Sequence, residues 1–183
     1  MKVIVINGKP TAGKSTFIKL CNEIAINWTY SYKDYNYQVF ELSMVDFVKD
    51  VALYAGWDKE KDKKGRKFLA DIKNAIESYD KTIIYDNIDE FIQNEEYWID
   101  ENNYNFYFIN ARNPEDIKYL VNKYNAISLF IDNPNVPMVE SNSEDKNIEN
   151  YKYDITIVND GNLNDLKEKA EKFMEQIYNN KIN

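Results

Sequence analysis

The sequence predicts a three-layer α/β protein, a parallel sheet of about five strands with helices on both faces. Three observations predict it. Short apolar, β-branched runs alternate along the chain with segments whose apolar residues recur at helical spacing. A glycine-containing turn of phosphate-binding pattern joins the first such run to the first helix. The 183 residues suffice for one domain with a proper core, and no linker divides them.

Each element has its own signal. Val3–Ile6 is a continuous apolar run and reads as a buried strand. The next helix, from Lys14 to Ile26, carries Phe17, Ile18, Cys21, Ile24 and Ala25 on one side. Residues 27–37 are polar and aromatic without a period, so a loop is expected. Gln38–Leu42 reads as the second strand. Ser43 is a good N-cap for a helix bearing Met44, Phe47, Val48, Val51, Ala52 and Ala55, stopped by Gly56. Trp57 to Gly65 is a charged connector, and a further helix carries Phe68, Leu69, Ile72, Ala75, Ile76 and Tyr79. Thr82–Tyr85 reads as a strand ending at Asp86, with a helix expected from Phe91 to Asp100. Phe106–Ile109 is the next strand, and Pro114 opens a helix at its first turn. Ala126–Ile131 is another strand. Residues 133–150 contain Pro134 and Pro137, are polar and acidic, and read as a loop or lid. Ile155–Val158 is the last strand, and Leu163, Leu166, Ala170, Phe173, Met174 and Ile177 mark a C-terminal helix.

Composition removes whole classes of function. Lys and Arg number 23 against 31 Asp and Glu, a formal charge of -8, so neither nucleic acid nor an anionic membrane is an expected partner. The single cysteine, Cys21, allows no intramolecular disulfide and no cysteine zinc site, and is most simply a core residue. The absence of histidine rules out a Ser-His-Asp triad, an imidazole base and histidine-ligated metals. Chemistry is left to carboxylates, Lys, Arg, hydroxyls and backbone. The N-terminal apolar run is too short for a leader, and no stretch is long enough to span a bilayer. A cytoplasmic monomer or homodimer acting on small molecules is expected.

Gly8-Lys9-Pro10-Thr11-Ala12-Gly13-Lys14-Ser15 fits G-x-x-x-x-G-K-[ST] at every fixed position, with a strand before it and a helix after it. Glycines let successive backbone N–H groups converge on phosphate oxygens, and the helix N-terminus adds partial positive charge. Lys14 can reach the β- and γ-phosphates, and the Ser15 hydroxyl can bind Mg²⁺. Gly8, Lys9, Thr11, Ala12, Gly13, Lys14, Ser15 and Thr16 are therefore the candidate ATP-binding residues. The motif points to nucleotide binding and leaves the reaction open.

The chain resembles the P-loop kinases of small molecules, and in particular the phage-type nucleoside and deoxynucleoside monophosphate kinases. The Gly8–Ser15 loop is the most specific piece. Ser43-Met44-Val45-Asp46-Phe47-Val48-Lys49, Gly56-Trp57-Asp58 and Lys63-Lys64-Gly65-Arg66-Lys67-Phe68-Leu69 resemble the acceptor-binding helices of those kinases. Arg112-Asn113-Pro114-Glu115-Asp116-Ile117 is similar to their Arg-x-Pro-Glu-x-Ile segment. Tyr153 to Gly161 resembles the last strand and turn of the guanylate and dephospho-CoA kinases, where that turn lies near the adenine of ATP. The resemblance implies a P-loop NTPase fold, a single domain with an acceptor-binding segment over about 43–80, and a lid-like loop over about 133–152. It also implies adenine contacts at Asn159 and Gly161.

Residue chemistry can be set beside that resemblance. Asp46, Lys49 and Asp50 share one helix face, which can hold phosphate and sugar groups or can simply be a solvated face with an internal ion pair. The resemblance favours substrate binding by Ser43, Asp46 and Lys49. Only Arg66 and Arg112 among the 23 basic residues are arginines, and arginine alone offers a rigid fork for phosphate. Arg66 is expected to clamp the acceptor phosphate and Arg112 to neutralise the transferring phosphoryl group, making them catalytic with Lys14. Surface pairing, for Arg112 with Glu115 or Asp116, is the plain alternative. Asp86, after an apolar run, is expected to hold Mg²⁺ through water, although Ile131-Asp132 offers a similar ending. Trp57 is the aromatic residue expected to face a base. The lid-like loop contains no arginine, unlike many lids of the family, and an acidic loop without a closing role is equally open.

These readings converge on an ATP- and Mg²⁺-dependent transfer of the γ-phosphoryl group to a nucleoside or deoxynucleoside 5′-monophosphate. A kinase of another phosphorylated metabolite, of phosphomevalonate or dephospho-CoA type, and a non-catalytic nucleotide-binding protein are the alternatives. Asn122-Lys123-Tyr124-Asn125 approaches the guanine motif Asn-Lys-x-Asp, but it ends in Asn and follows a helix, so a GTPase switch is set aside.

Overall fold

The computed structural model describes residues 1–97, 101–136 and 151–179. Its elements are, in chain order, β1 (Lys2–Asn7), α1 (Lys14–Ser31), β2 (Asn36–Ser43), α2 (Asp46–Tyr54), α3 (Lys63–Asp80), α4 (Thr82–Tyr97), β3 (Asn103–Asn110), α5 (Pro114–Tyr124), β4 (Ile127–Asp132), β5 (Ile155–Val158) and α6 (Leu163–Tyr178). The strands form a five-stranded sheet in the order β2-β3-β1-β4-β5. β1 runs parallel to β3 and β4, with Ile6 opposite Asn110 and Asn7 opposite Phe130, and β4 runs parallel to β5. β2 points the same way: Asn36, at its start, donates to the carbonyl of Asn102 just before β3, while Glu41, near its end, meets Asn110 at the end of β3. The order reverses at β1, so its C-terminal end is the crevice where open α/β sheets bind ligands.

The chain divides into two compact units, Met1–Glu41 with Asp100–Asn183, and Leu42–Ile99. The acceptor-binding segment expected over 43–80 falls in the second.

The first unit holds the sheet. Because strand side chains alternate between faces, Ile4, Ile6, Phe106, Phe108, Leu129 and Ile131 turn to one face and join Phe17, Ile18, Cys21 and Ile24 of α1 and Leu166, Phe173 and Met174 of α6 in one core. α5 covers the other face, where Ile117 and Leu120 are buried against β1 and β4. Phe17 is fully buried and meets Phe173 edge-on with ring centroids 5.5 Å apart. Replacing it leaves a void between α1, α6 and the sheet, so Phe17→Ala is expected to cost about 3–5 kcal/mol in a denaturant titration. The Cys21 thiol lies in this core, as expected, and burial pushes its pKa upward.

The second unit packs α2, α3 and α4 together. Asp62 caps α3 by accepting the Gly65 N–H at 2.7 Å, and the Trp57 indole N–H donates to the Glu60 carbonyl at 3.1 Å. Gly65 is required there, since a Cβ would stand 1.9 Å from the Glu60 carbonyl oxygen. The charged connector is thereby folded tightly onto the first turn of α3.

Several sequence expectations change, and Ser43 ends β2 instead of capping α2, whose N-cap position is Val45. Thr82–Tyr85 is not a strand but the first turn of α4, capped by the Asp80 carboxylate, which accepts from the Thr82 N–H and hydroxyl at 2.9 and 2.8 Å. The buried residues Ile84, Tyr85, Ile88 and Ile92 repeat at helical spacing, a period that the four-residue apolar run conceals. α1 continues to Ser31 where a loop was expected, because Trp28 turns inward onto Tyr37 and Tyr178. α3 starts at Lys63, inside the expected connector. The helix expected over 91–100 is the later part of α4, with residues 98–100 outside the described residues. No described helix is long and apolar enough to cross a membrane.

Candidate nucleotide site

The Gly8–Ser15 loop leaves the C-terminal end of β1 and enters α1. Gly8 has φ +153° and Gly13 φ +102°, values that favour glycine. Each glycine also makes room. A Cβ on Gly8 would lie 2.4 Å from the Ile131 carbonyl oxygen, and one on Gly13 would lie 2.5 Å from the side-chain nitrogen of Asn159. Thr11, at φ +63°, completes the turn, and the Ala12 N–H donates to the Lys9 carbonyl at 3.1 Å.

Helix α1 starts without a side-chain cap, as does α2, but α2 carries Asp46 in its first turn. Asp62, Asn113 and Asn162 cap α3, α5 and α6 with side-chain oxygens. α1 has no side-chain cap and no acidic residue in its first turn. An anion fits an N-terminus kept this way, because the first-turn amides point outward and carry the positive end of the dipole. The Lys14 ammonium bends back over the loop and donates to the Gly8 and Lys9 carbonyls at 2.5 and 2.9 Å. Ser15 and Thr16 follow it, exposed on the first turn.

Two asparagines brace this loop. Asn159, just beyond β5, donates through its side chain to the Ala12 carbonyl at 2.9 Å and through its backbone to the Asp132 carbonyl at 2.6 Å. Gly161 opens the turn toward α6, beside the Asp165 carboxylate. At the other end of the loop Asn7, 1% exposed, accepts the Gly8 N–H at 2.8 Å. Its amide nitrogen reaches the Tyr153 hydroxyl at 2.8 Å and the Arg112 carbonyl at 3.4 Å. Sequence reasoning missed Asn7 because it ends an apolar strand. The available signal was a polar residue placed immediately before the first loop glycine.

Arg112 lies just beyond β3, where Ala111 donates to the Ile6 carbonyl at 3.2 Å, so the first unit brings it to the same sheet edge as the phosphate loop. Arg66 belongs to the second unit. It is exposed on the first turn of α3, and its Nε donates to the Lys61 carbonyl at 2.8 Å. In that unit too, Asp46 accepts from the Ser43 N–H at 2.7 Å and pairs with Lys49 at 2.6 Å, while Ser43 accepts from Val45 at 3.4 Å. These three residues thus serve first as the local start of α2. Trp57 is half-buried, and its indole N–H is committed to Glu60.

The metal assignment to Asp86 loses its basis. Asp86 is exposed within helix α4 and does not end a strand. The strand-end carboxylate next to β1 is Asp132, the last residue of β4, one residue beyond Ile131, which faces Gly8. Among the described residues no cluster of three acidic, cysteine or histidine side chains could hold a metal by itself.

A groove of about 390 Å³ lies elsewhere, between the C-terminal half of α1 and the start of β2, and includes Asn22, Ile26, Thr29 and Tyr37. It sits at the sheet end opposite the phosphate loop. The lid-like loop lies largely outside the described residues.

No protein-family model and no curated protein matches this chain. Among solved structures, it is similar to the shikimate kinase of Aquifex aeolicus vf5, at 14% identity and TM-score 0.42, over 96% of this chain and 98% of that one. It is also similar to the APS kinase CysC of Mycobacterium tuberculosis, solved with AMPPNP and APS, at 10% identity and TM-score 0.42, over 97% of both chains. Likenesses this distant carry no argument about activity, and the fold stands on strand order, register and the phosphate loop.

Proposed function

We propose that this protein is an ATP-dependent phosphotransferase that moves the γ-phosphoryl group of ATP to a nucleoside or deoxynucleoside 5′-monophosphate. The observation that carries the reading is the phosphate loop: an uncapped helix N-terminus, a glycine-formed turn and Lys14, together at the C-terminal edge of a parallel sheet. Lys14 would exchange the Gly8 and Lys9 carbonyls for β- and γ-phosphate oxygens. Ser15 would hold Mg²⁺, with Asp132 reaching its water shell, and the cation would neutralise charge on the phosphates. Arg112 would face the transferring group from the neighbouring strand end.

The acceptor's phosphate oxygen is already anionic, so no general base is needed, which suits a chain without histidine. Alignment and preorganised positive charge supply the rate. Ser43, Asp46, Lys49, Trp57 and Arg66 form the acceptor side in this reading, supported by the resemblance of their segments and by the arginine fork on α3. Asn159 and Gly161 would border the adenine.

Incubation with Mg-ATP and a panel of all ribo- and deoxyribonucleoside monophosphates, read as ADP formed, tests the reading. Acceptor-dependent ADP is expected from one or a few of them. ATP binding with no ADP under any condition would contradict it and leave a nucleotide-binding protein without turnover. On the acceptor side, Arg66→Lys replaces a two-pronged grip by a point charge, so acceptor KM should rise about tenfold while KM for ATP stays put. An unchanged acceptor KM and kcat would remove Arg66 from the site.

A further inference from the structure

We infer that Asn7 is a positioning residue, which fixes Arg112 relative to the phosphate loop and ties both to Tyr153. The inference rests on the phosphotransferase reading for its kinetic consequences and on geometry alone for the link.

The strand ladder makes such a device necessary. The Ala111 N–H donates to the Ile6 carbonyl, and beyond that point β1 turns into the phosphate loop while β3 turns into α5. Backbone pairing no longer holds the two strands together there. The Asn7 side chain takes over. Its oxygen holds the first amide of the loop, Gly8, and its nitrogen holds the Arg112 carbonyl and the Tyr153 hydroxyl. One amide group therefore spans three chain segments, and it does so with 1% of its residue surface exposed.

Tyr153 is itself fixed. Its ring stacks on Phe130 at 4.9 Å, and Tyr151 packs edge-on against it at 5.0 Å. Burial, the largest influence, pushes its pKa up to about 12, so it stays a neutral hydroxyl at physiological pH. Asparagine suits the centre of this node because it offers one acceptor and two donors without charge. Aspartate is nearly its isostere but offers acceptors only when ionised, and would set an oxygen against the Arg112 carbonyl. In so buried a place its pKa would rise, and on protonation it would regain a donor.

This gives a test that general destabilisation does not imitate. Wild type, Asn7→Asp and Tyr153→Phe are assayed for kcat and KM(ATP) from pH 6 to pH 8. Hydrogen–deuterium exchange is followed at residues 111–113 and 151–153 in the same proteins. For Asn7→Asp, kcat should fall roughly tenfold at pH 8 relative to wild type and recover toward it at pH 6, with KM(ATP) within about twofold. Exchange at 111–113 should quicken at pH 8 and slow again at pH 6, while 151–153 changes less, because the neutral Tyr153 hydroxyl can donate to the new carboxylate. Tyr153→Phe, which keeps the ring stacking, should quicken exchange at 151–153 while sparing most of kcat. A kcat ratio to wild type that is flat with pH, together with unchanged exchange at both segments, overturns the inference. If wild type transfers no phosphoryl group, the kinase reading fails, and exchange alone decides the link.

Discussion

Lys14→Ala should abolish acceptor-dependent ADP formation while leaving the fold intact. The half-buried Lys14 ammonium lies over the loop and donates to the loop's own carbonyls at Gly8 and Lys9. Both carbonyls belong to the loop itself, so thermal stability should shift little. Its work is done only when phosphate oxygens replace those carbonyls and negative charge gathers on the transferring group. Loss of one such preorganised donor costs about 10²–10³-fold in kcat. Kinetics of the variant beside wild type, with circular dichroism as the folding control, check this. A variant within threefold of wild type would mean that the loop does not hold the reacting phosphates.

Gly8→Ala should be the most damaging single-methyl change in the first unit. The new Cβ would meet the backbone oxygen of Ile131 at 2.4 Å, and φ +153° strains any side chain. β4 cannot retreat from β1 without breaking their pairing, so strain and overpacking add, to about 2–5 kcal/mol. That is a large share of the ~5–15 kcal/mol stability usual for a domain. Gly56→Ala is the control: φ is +91° there, but nothing lies within 4 Å of the added methyl. Only the backbone term remains, about 1 kcal/mol. Chemical denaturation of the two variants separates a crowded glycine from one that merely turns the chain. Equal costs would contradict the close approach of Gly8 to β4.

The parallel α/β core was legible in the sequence because its signals are local. Val3–Ile6, Phe106–Ile109 and Ile155–Val158 are short apolar runs beside turn residues, and the phosphate loop names its own flanking strand and helix. Thr82–Tyr85 shows the limit of that logic. Four β-branched and aromatic residues read as a strand, yet Asp80 caps them and Ile88 and Ile92 continue their stripe as a helix. Removing that strand took the metal role from Asp86 and left Asp132, the alternative ending, beside the loop. The braces of the loop were harder to see. Asn159 was expected near adenine from resemblance alone, and nothing in the sequence marked its amide bond to the Ala12 carbonyl. Asn7 joins residues 105 and 146 positions away. Contacts of that range leave no periodic trace in a single sequence.

At this loop the γ-phosphoryl group of ATP is expected to pass to a monophosphate acceptor. The most direct test of that transfer follows the atom: ATP labelled at the γ-phosphate is incubated with the protein, Mg²⁺ and each nucleoside monophosphate, and the products are separated. The account predicts label in a nucleoside diphosphate, lost in Lys14→Ala. Label released only as free phosphate, or retained in ATP with every acceptor, would contradict it.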